Sequence, residues 1–351
     1  MKLFQCQGCG QAVYFENTVC EKCGRRLGFV PDAAVLSAVE DAPDAVLPLA
    51  APDRPMRFCA NAAHDACNWL IPNDNPEPLC LACRHNRVIP DLSAAENLRR
   101  WQRLERAKHR LIYSLINLGL PLPSRADDPA EGLAFDFLAD PADGAAATVT
   151  TGHDHGLITL NLAEADDEAR EQARTALHEP YRTLLGHFRH EVGHWYWDRL
   201  VRDRPDVLAA FRALFGDERA DYAAALKAHY DGGPPADWQA RHVSAYAAAH
   251  PWEDWAETWA HYLHIVDTLE TARAFGVRIA PRIADREGLA GEVDFNPYRA
   301  GADRLVEAWL PLTFAVNSLN RSMGQPDLYP FVLSPPAIAK LGFVQDCVAR
   351  V

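Results

Sequence analysis

The chain has 351 residues, 48% hydrophobic and 24% charged, with a formal net charge of −13. That composition excludes a disordered chain, supports a sizeable buried core, and at roughly 100–200 residues per domain predicts two or three domains. The acidity argues against a general nucleic-acid binder, and no apolar run of about 18 residues suggests a membrane span. The N-terminal Met-Lys-Leu-Phe-Gln-Cys-Gln has no apolar leader core, so a reducing, cytoplasmic setting is expected. Charge is uneven. Residues 1–110 hold 14 basic and 13 acidic side chains, which leaves 21 and 35 for the remainder.

Eight of the nine cysteines lie before residue 84. In a reducing compartment, clustered thiols read as metal ligands rather than disulfides. Residues 1–30 carry Cys6-x2-Cys9 and Cys20-x2-Cys23, each pair followed by a glycine, Gly10 or Gly24, that suits a tight knuckle. Two such knuckles supply the four soft donors of a tetrahedral zinc. Residues 31–56, with Pro31, Pro43, Pro48, Pro52 and Pro55, read as a linker. Residues 57–92 hold a second quartet, Cys59, Cys67, Cys80 and Cys83, more widely spaced. Nearby His64 and His85 are surplus to a site that four thiolates complete.

Residues 93–118 read as a helix with Ser93 as cap and Glu96 closing a capping box. Its Arg99, Arg100, Arg103, Arg106, Lys108 and Arg110 read as a solvated face or as partners for the acidic remainder. Residues 157–162, after Gly156, read as a strand. Helices are expected over 166–178, 180–202, 205–214, 218–230, 236–248, 252–273 and 300–322.

The chemistry concentrates in His190-Glu191-Val192-Gly193-His194. Residues i and i+4 share a helix face, so His190 and His194 can bind one metal ion, and Glu191 stands beside it as a general base. Chance produces this pattern about 0.03 times in a chain of this length and histidine content. Leu184, Leu185, Phe188, Val192 and Trp195 form an apolar stripe that would bury the helix. A catalytic zinc takes three protein ligands and leaves one position open. The third ligand is sought in Pro251–His264, where Glu253, Glu257, His261 and His264 form one polar stripe among Trp252, Trp255, Trp259 and Tyr262.

HEVGH followed by the downstream EDWAE helix resembles the gluzincin metallopeptidases, including the thermolysin-like and lethal-factor types. The resemblance implies Glu253 as third ligand and Glu257 as the carboxylate that orients a ligand histidine, with Glu257 as ligand the alternative. It also implies Tyr246, seven residues before Glu253, as a group near the oxyanion. More broadly, the chain is similar to a bacterial family of zinc-binding metallopeptidases with an N-terminal zinc ribbon. The matching stretches are CQGC/CEKC, CANAAHDACNWL, GLITLNLAEADDEAR, EPYRTLLGHFRHEVGHWYWDRL, SAYAAAHPWEDWAETWAHYLH and GQPDLYPFVLSP. The fold class expected is therefore α+β: a predominantly helical zincin-like domain over 93–351, preceded by small zinc-ribbon modules.

The function expected is zinc-dependent hydrolysis, most simply of peptide bonds, with three zinc ions per chain: one catalytic and two structural. Glu191 would take a proton from zinc-activated water and pass it to the leaving amine, while zinc and Tyr246 stabilise the oxyanion. The strand 157–162 would act as the edge strand that pairs with extended substrate. His153 and His155 are candidates to line the cleft. His187, His250, His261 and His264 are candidates for local or core roles, and Cys347 for an inert thiol. The partner expected is a peptide or protein substrate, with neither nucleic acid nor membrane. The competing reading is a zinc-ribbon module that recruits nucleic acid or a protein, with a mainly structural zincin domain; an intact Glu191 argues against it.

Overall fold

The computed structural model describes residues 2–140, 149–168, 170–171, 183–283 and 288–351. They belong to two compact units, Met1–Ala169 and Arg170–Val351. The architecture is mixed helix and sheet, and the expected α+β class holds.

In the first unit, strands β1 (Phe4–Gln5) and β2 (Ala12–Val13) pair across the first knuckle. Gly10 and Gly24 sit at φ +75° and +72°, the left-handed region that only glycine enters freely. There they donate back to the carbonyls of Cys6 and Cys20, at 2.9 and 2.8 Å, closing each knuckle. The next strands form an antiparallel five-stranded sheet in chain order: β3 (Leu27–Val30), β4 (Val35–Ala42), β5 (Ala45–Pro48), β6 (Met56–Phe58) and β7 (Leu70–Pro72).

This sheet corrects the linker expected over 31–56. Its prolines mark turns and strand ends: Pro31 opens the β3–β4 loop, and Pro43 with Asp44, at φ +57°, makes the two-residue turn between paired Ala42 and Ala45. Between the turns, Val39, Val46 and Met56 join Val30 and Leu70 in one apolar cluster. The two cysteine segments are also not separate modules. Asn68 Nδ2 donates to the carbonyls of Phe15 and Asn17, at 2.7 and 3.1 Å. Phe29 packs on Phe15 at 4.9 Å and on Trp69 at 4.7 Å between ring centroids.

Helix α1 (Ala95–Leu118) shares that core, with Tyr113 5.3 Å from Phe15. It starts without the expected capping box, because Ser93 turns back and bonds Asp91 Oδ1 through both N (2.9 Å) and Oγ (2.7 Å). Its basic face is largely paired: Arg100 with Asp166 at 2.8 Å, Arg103 with the Ala165 carbonyl at 3.0 Å, Arg110 with Glu16.

A second sheet has the order β10 (Gly152–Asp154), β11 (Leu157–Asn161), β9 (Ala134–Leu138), β8 (Asn86–Val88). The expected edge strand is therefore internal. Leu157–Asn161 pairs parallel with β9 along its whole length and antiparallel with β10 over Leu157–Thr159, so neither edge is open along the strand. Gly156, at φ +83°, makes the reversal that brings β10 onto the side foreseen as open.

The second unit is helical: α2 (Leu184–Trp197), α3 (Pro205–Phe215), α4 (Tyr222–Gly232), α5 (Pro251–Ala274), α6 (Ala302–Ser322) and α7 (Pro335–Ala349). The helix expected over 166–178 lies mostly outside the described residues. The one expected over 236–248 is replaced by two short 3-10 turns, Trp238–Ala240 and Tyr246–Ala248. Gly232, Gly233, Pro234 and Pro235 break the chain ahead of them, and Ser244 Oγ captures the Ala247 N–H at 3.1 Å. Helix α7 was missed, although Ser334 caps it and Pro335 stands at its first position.

Helix α5 is the centre of this unit, with Trp255 and Trp259 wholly buried. It packs closely on α2 at Gly193. A Cβ there would meet Ala256 Cα and Trp259 Cβ, both at 3.2 Å. Trp255 Nε1 donates to the Gly193 carbonyl at 2.8 Å across the same contact. The glycine of HEVGH thus sets how near the two helices lie.

Candidate metal centre

His190 and His194 project from one face of α2, as their spacing requires. Glu253 stands in the first turn of α5, which Pro251 opens and His250 caps by accepting the Trp252 N–H at 3.1 Å. The three side chains converge. His190 Nε2 lies 3.2 Å from His194 Nε2 and 2.9 Å from Glu253 Oε2, and His194 Nε2 lies 3.6 Å from that oxygen. Around a tetrahedral zinc with bonds of about 2.0–2.1 Å, neighbouring N and O donors lie about 3.3 Å apart. Glu253 Oε2 is buried and accepts no well-directed hydrogen bond. An orphaned carboxylate oxygen facing two imidazole nitrogens fits a bound cation.

Each donor is held from behind. His190 Nδ1 donates to Glu257 Oε1 at 2.8 Å, which turns Nε2 inward. Glu257 Oε2 accepts from Ser244 Oγ at 2.5 Å. Tyr222 OH donates to Glu253 Oε1 at 2.6 Å and leaves Oε2 for the centre. Trp252 packs on His194, with ring centroids 4.6 Å apart. Glu253 therefore lies with the two imidazoles, and Glu257 sits one helical turn behind it. Burial raises the Glu257 carboxyl, but the His190 imidazole outweighs it and holds it below its ordinary value.

Tyr246, in the second 3-10 turn, lies against His190 at 5.9 Å between centroids. Burial pushes its phenol far up, reinforced first by Glu253 and, more weakly, by Glu191. The same two carboxylates act on Tyr222, again after burial. Glu191 and the two phenols thus share one electrostatic neighbourhood.

Sequence reasoning missed Tyr222 and Ser244, whose partners are 31 and 13 residues away. It also missed Lys340, which donates to Asp254 Oδ2 at 2.5 Å and to the Arg241 carbonyl at 2.8 Å, pinning the loop that precedes Ser244 and Tyr246. The remaining histidines are engaged elsewhere. His261 Nδ1 bonds Tyr329 OH at 2.6 Å, His264 Nδ1 accepts from Arg189 at 2.5 Å, and His153 Nε2 accepts the Gly156 N–H at 2.9 Å. His187 is partly buried on α2 and joins no metal-binding group among the described residues. His155 occupies the β10–β11 turn at φ +44°. Cys347 is buried, its thiol pushed up to about 12 by burial.

Both cysteine quartets also assemble. The Cys6–Cys23, Cys9–Cys20 and Cys67–Cys80 sulfurs lie 3.7, 3.6 and 3.7 Å apart, against about 3.8 Å for thiolates around one zinc. Neither His64 nor His85 joins them; His85 Nδ1 bonds the Leu133 carbonyl at 3.0 Å.

This donor chemistry agrees with the comparisons. Residues 97–347 match the family described as "Putative zinc-binding metallo-peptidase", and residues 3–94 match a zinc-ribbon domain. The chain belongs to that metallopeptidase family, with the zinc ribbon at its N-terminal end. It is 45% identical to an uncharacterized protein of Mycobacterium bovis and to uncharacterized proteins of two Mycobacterium tuberculosis strains, over all of this chain and 96% of each relative. No solved structure matches it. Among the described residues, no helix is long and apolar enough to cross a membrane.

Proposed function

We propose that the protein is a zinc-dependent peptidase whose centre is His190, His194 and Glu253, with Glu191 as general base. The observation that carries this reading is the convergence of three donor atoms at zinc spacing, beside a glutamate that is not itself among them. A zinc ion held there would supply Lewis-acid activation of water and of the scissile carbonyl. Glu191 receives the proton of the attacking water and delivers it to the leaving amine. The Tyr246 phenol, kept protonated by burial and by its acidic neighbours, donates to the developing oxyanion. Glu257, braced by Ser244, orients His190, and Tyr222 orients Glu253. The four-cysteine sites serve structure, since four thiolates leave no open position.

The test is Glu191→Gln on a substrate found with a broad peptide library. The variant should keep its zinc and fold and lose turnover by roughly 10²–10⁴-fold. Hydrolysis at the parent rate would refute the mechanism.

A further inference from the structure

Helix α1 turns Glu105, Lys108 and His109, all buried, toward the second cysteine quartet. Three of that quartet's sulfurs accept a backbone N–H: Cys67 from Trp69 at 3.3 Å, Cys59 from Cys80 at 3.4 Å, and Cys80 from Cys83 at 3.4 Å. Cys83 Sγ instead faces Glu105 Oε2 at 3.7 Å and His109 Nε2 at 3.6 Å. A sulfur and a carboxylate oxygen, both anionic once the quartet holds zinc, thus face each other in a region closed to water.

The surrounding hydrogen bonds sharpen the point. Lys108 Nζ and Asn86 Nδ2 both donate to Glu105 Oε1, each at 2.8 Å. The lysine therefore pairs with the far oxygen, and Oε2 is turned toward the sulfur. His109 Nδ1 lies 2.6 Å from the Glu105 carbonyl oxygen, which only accepts, so Nδ1 carries the proton. Nε2 is then the ring atom turned toward Cys83. Glu253 is arranged in the same way, with one oxygen held by a protein donor and the other aimed at nitrogen ligands.

We propose that Cys83, Glu105 and His109 bind a further zinc ion, bridged through the Cys83 thiolate to the zinc of the four-cysteine site. The three donor atoms already meet. Sulfur-to-oxygen and sulfur-to-nitrogen edges around one zinc are about 3.5–3.6 Å, close to the separations present here. A thiolate, imidazole and carboxylate set suits zinc among the common divalent ions. Charge points the same way. Four thiolates and the Glu105–Lys108 pair around a single zinc sum to two negative charges in a dry interior, of which an imidazolium at His109 would offset one. A second divalent cation neutralises them. The ion would clamp α1 to the ribbon, and the burial of every donor makes its role structural.

The test is zinc analysis and zinc-edge X-ray absorption on the full chain, purified without chelator. A bridging thiolate places two zincs about 3–4 Å apart, so a zinc–zinc scattering shell is expected. His109→Phe keeps a ring against Trp69 and should carry one zinc fewer than the parent, with that shell lost. A parent spectrum without the zinc–zinc shell overturns the proposal, whether or not the variant folds. So does a folded His109→Phe with the parent's zinc content. His194→Ala serves as control: it removes the zinc proposed at HEVGH and should leave the shell unchanged, so failure of the peptidase reading is read separately.

Discussion

Tyr222 OH donates to Glu253 Oε1 at 2.6 Å, and the other oxygen of that carboxylate is the one that faces His190 and His194. A residue from the first turn of α4 thus decides which oxygen the centre receives. Tyr222→Phe removes one hydrogen bond and little volume. Metal affinity at this centre should fall about 10–100-fold, with the four-cysteine sites unaffected. Competition with a graded series of chelators would measure it; an unchanged affinity would show that α5 alone orients Glu253.

Glu253 and Glu257 should separate cleanly. Glu253→Ala removes a donor and should lose both the third zinc and activity. Glu257→Ala leaves the donors in place but frees His190, and should cost roughly 10–100-fold. Ser244→Ala should act in the same direction as Glu257→Ala, because its hydroxyl braces that carboxylate, and Ser244→Thr should restore most of the loss. Zinc content and turnover measured together check this set. Loss of zinc in Glu257→Ala but not in Glu253→Ala would move the third ligand one turn along α5.

Gly193 lets α2 and α5 approach to 3.1 Å from a would-be Cβ. The neighbouring atoms are Trp259 Cδ1 at 3.1 Å, and Ala256 Cα and Trp259 Cβ at 3.2 Å; the last two are fixed by the helix backbone and cannot swing away. Gly193→Val should therefore destabilise the unit by about 1–3 kcal/mol through overpacking and draw Glu253 away from the histidines. Thermal unfolding with and without added zinc reports both effects. A variant as stable as the parent would mean that the helices separate at no cost.

Removal of metal should be ordered. The His190, His194 and Glu253 group offers three donors and is partly exposed at His190, whereas the second quartet offers four and is buried throughout. Mild chelation should extract about one zinc equivalent and abolish turnover while residues 1–90 stay folded, because closed thiolate sites couple metal binding to folding. Zinc release followed alongside proteolysis of the N-terminal segment would show the order. Earlier release from the cysteine sites would reverse the roles assigned to them.

The local parts of this centre were legible in the chain. HEVGH places two imidazoles on one helix face because i and i+4 coincide at 3.6 residues per turn, and CxxC knuckles followed by glycine announce themselves for the same reason of fixed local geometry. Glu253 is put forward only by the resemblance that EDWAE carries, since the stripe itself offers Glu253 and Glu257 alike. What tertiary structure alone decided is everything whose partner is remote or competes with another local preference. Proline and aspartate density in 31–56 is the same for a linker as for tight hairpins, and only strand pairing across Ala42 and Ala45 separates them. The strand Leu157–Asn161 reads alike whether its edge is open or covered by Gly152–Asp154. Tyr222 and Lys340 stand in none of the matching stretches, and Ser244 opens one without any feature that singles it out. Each acts through hydrogen bonds that reach a residue of α5, and no periodicity in the sequence records such a meeting.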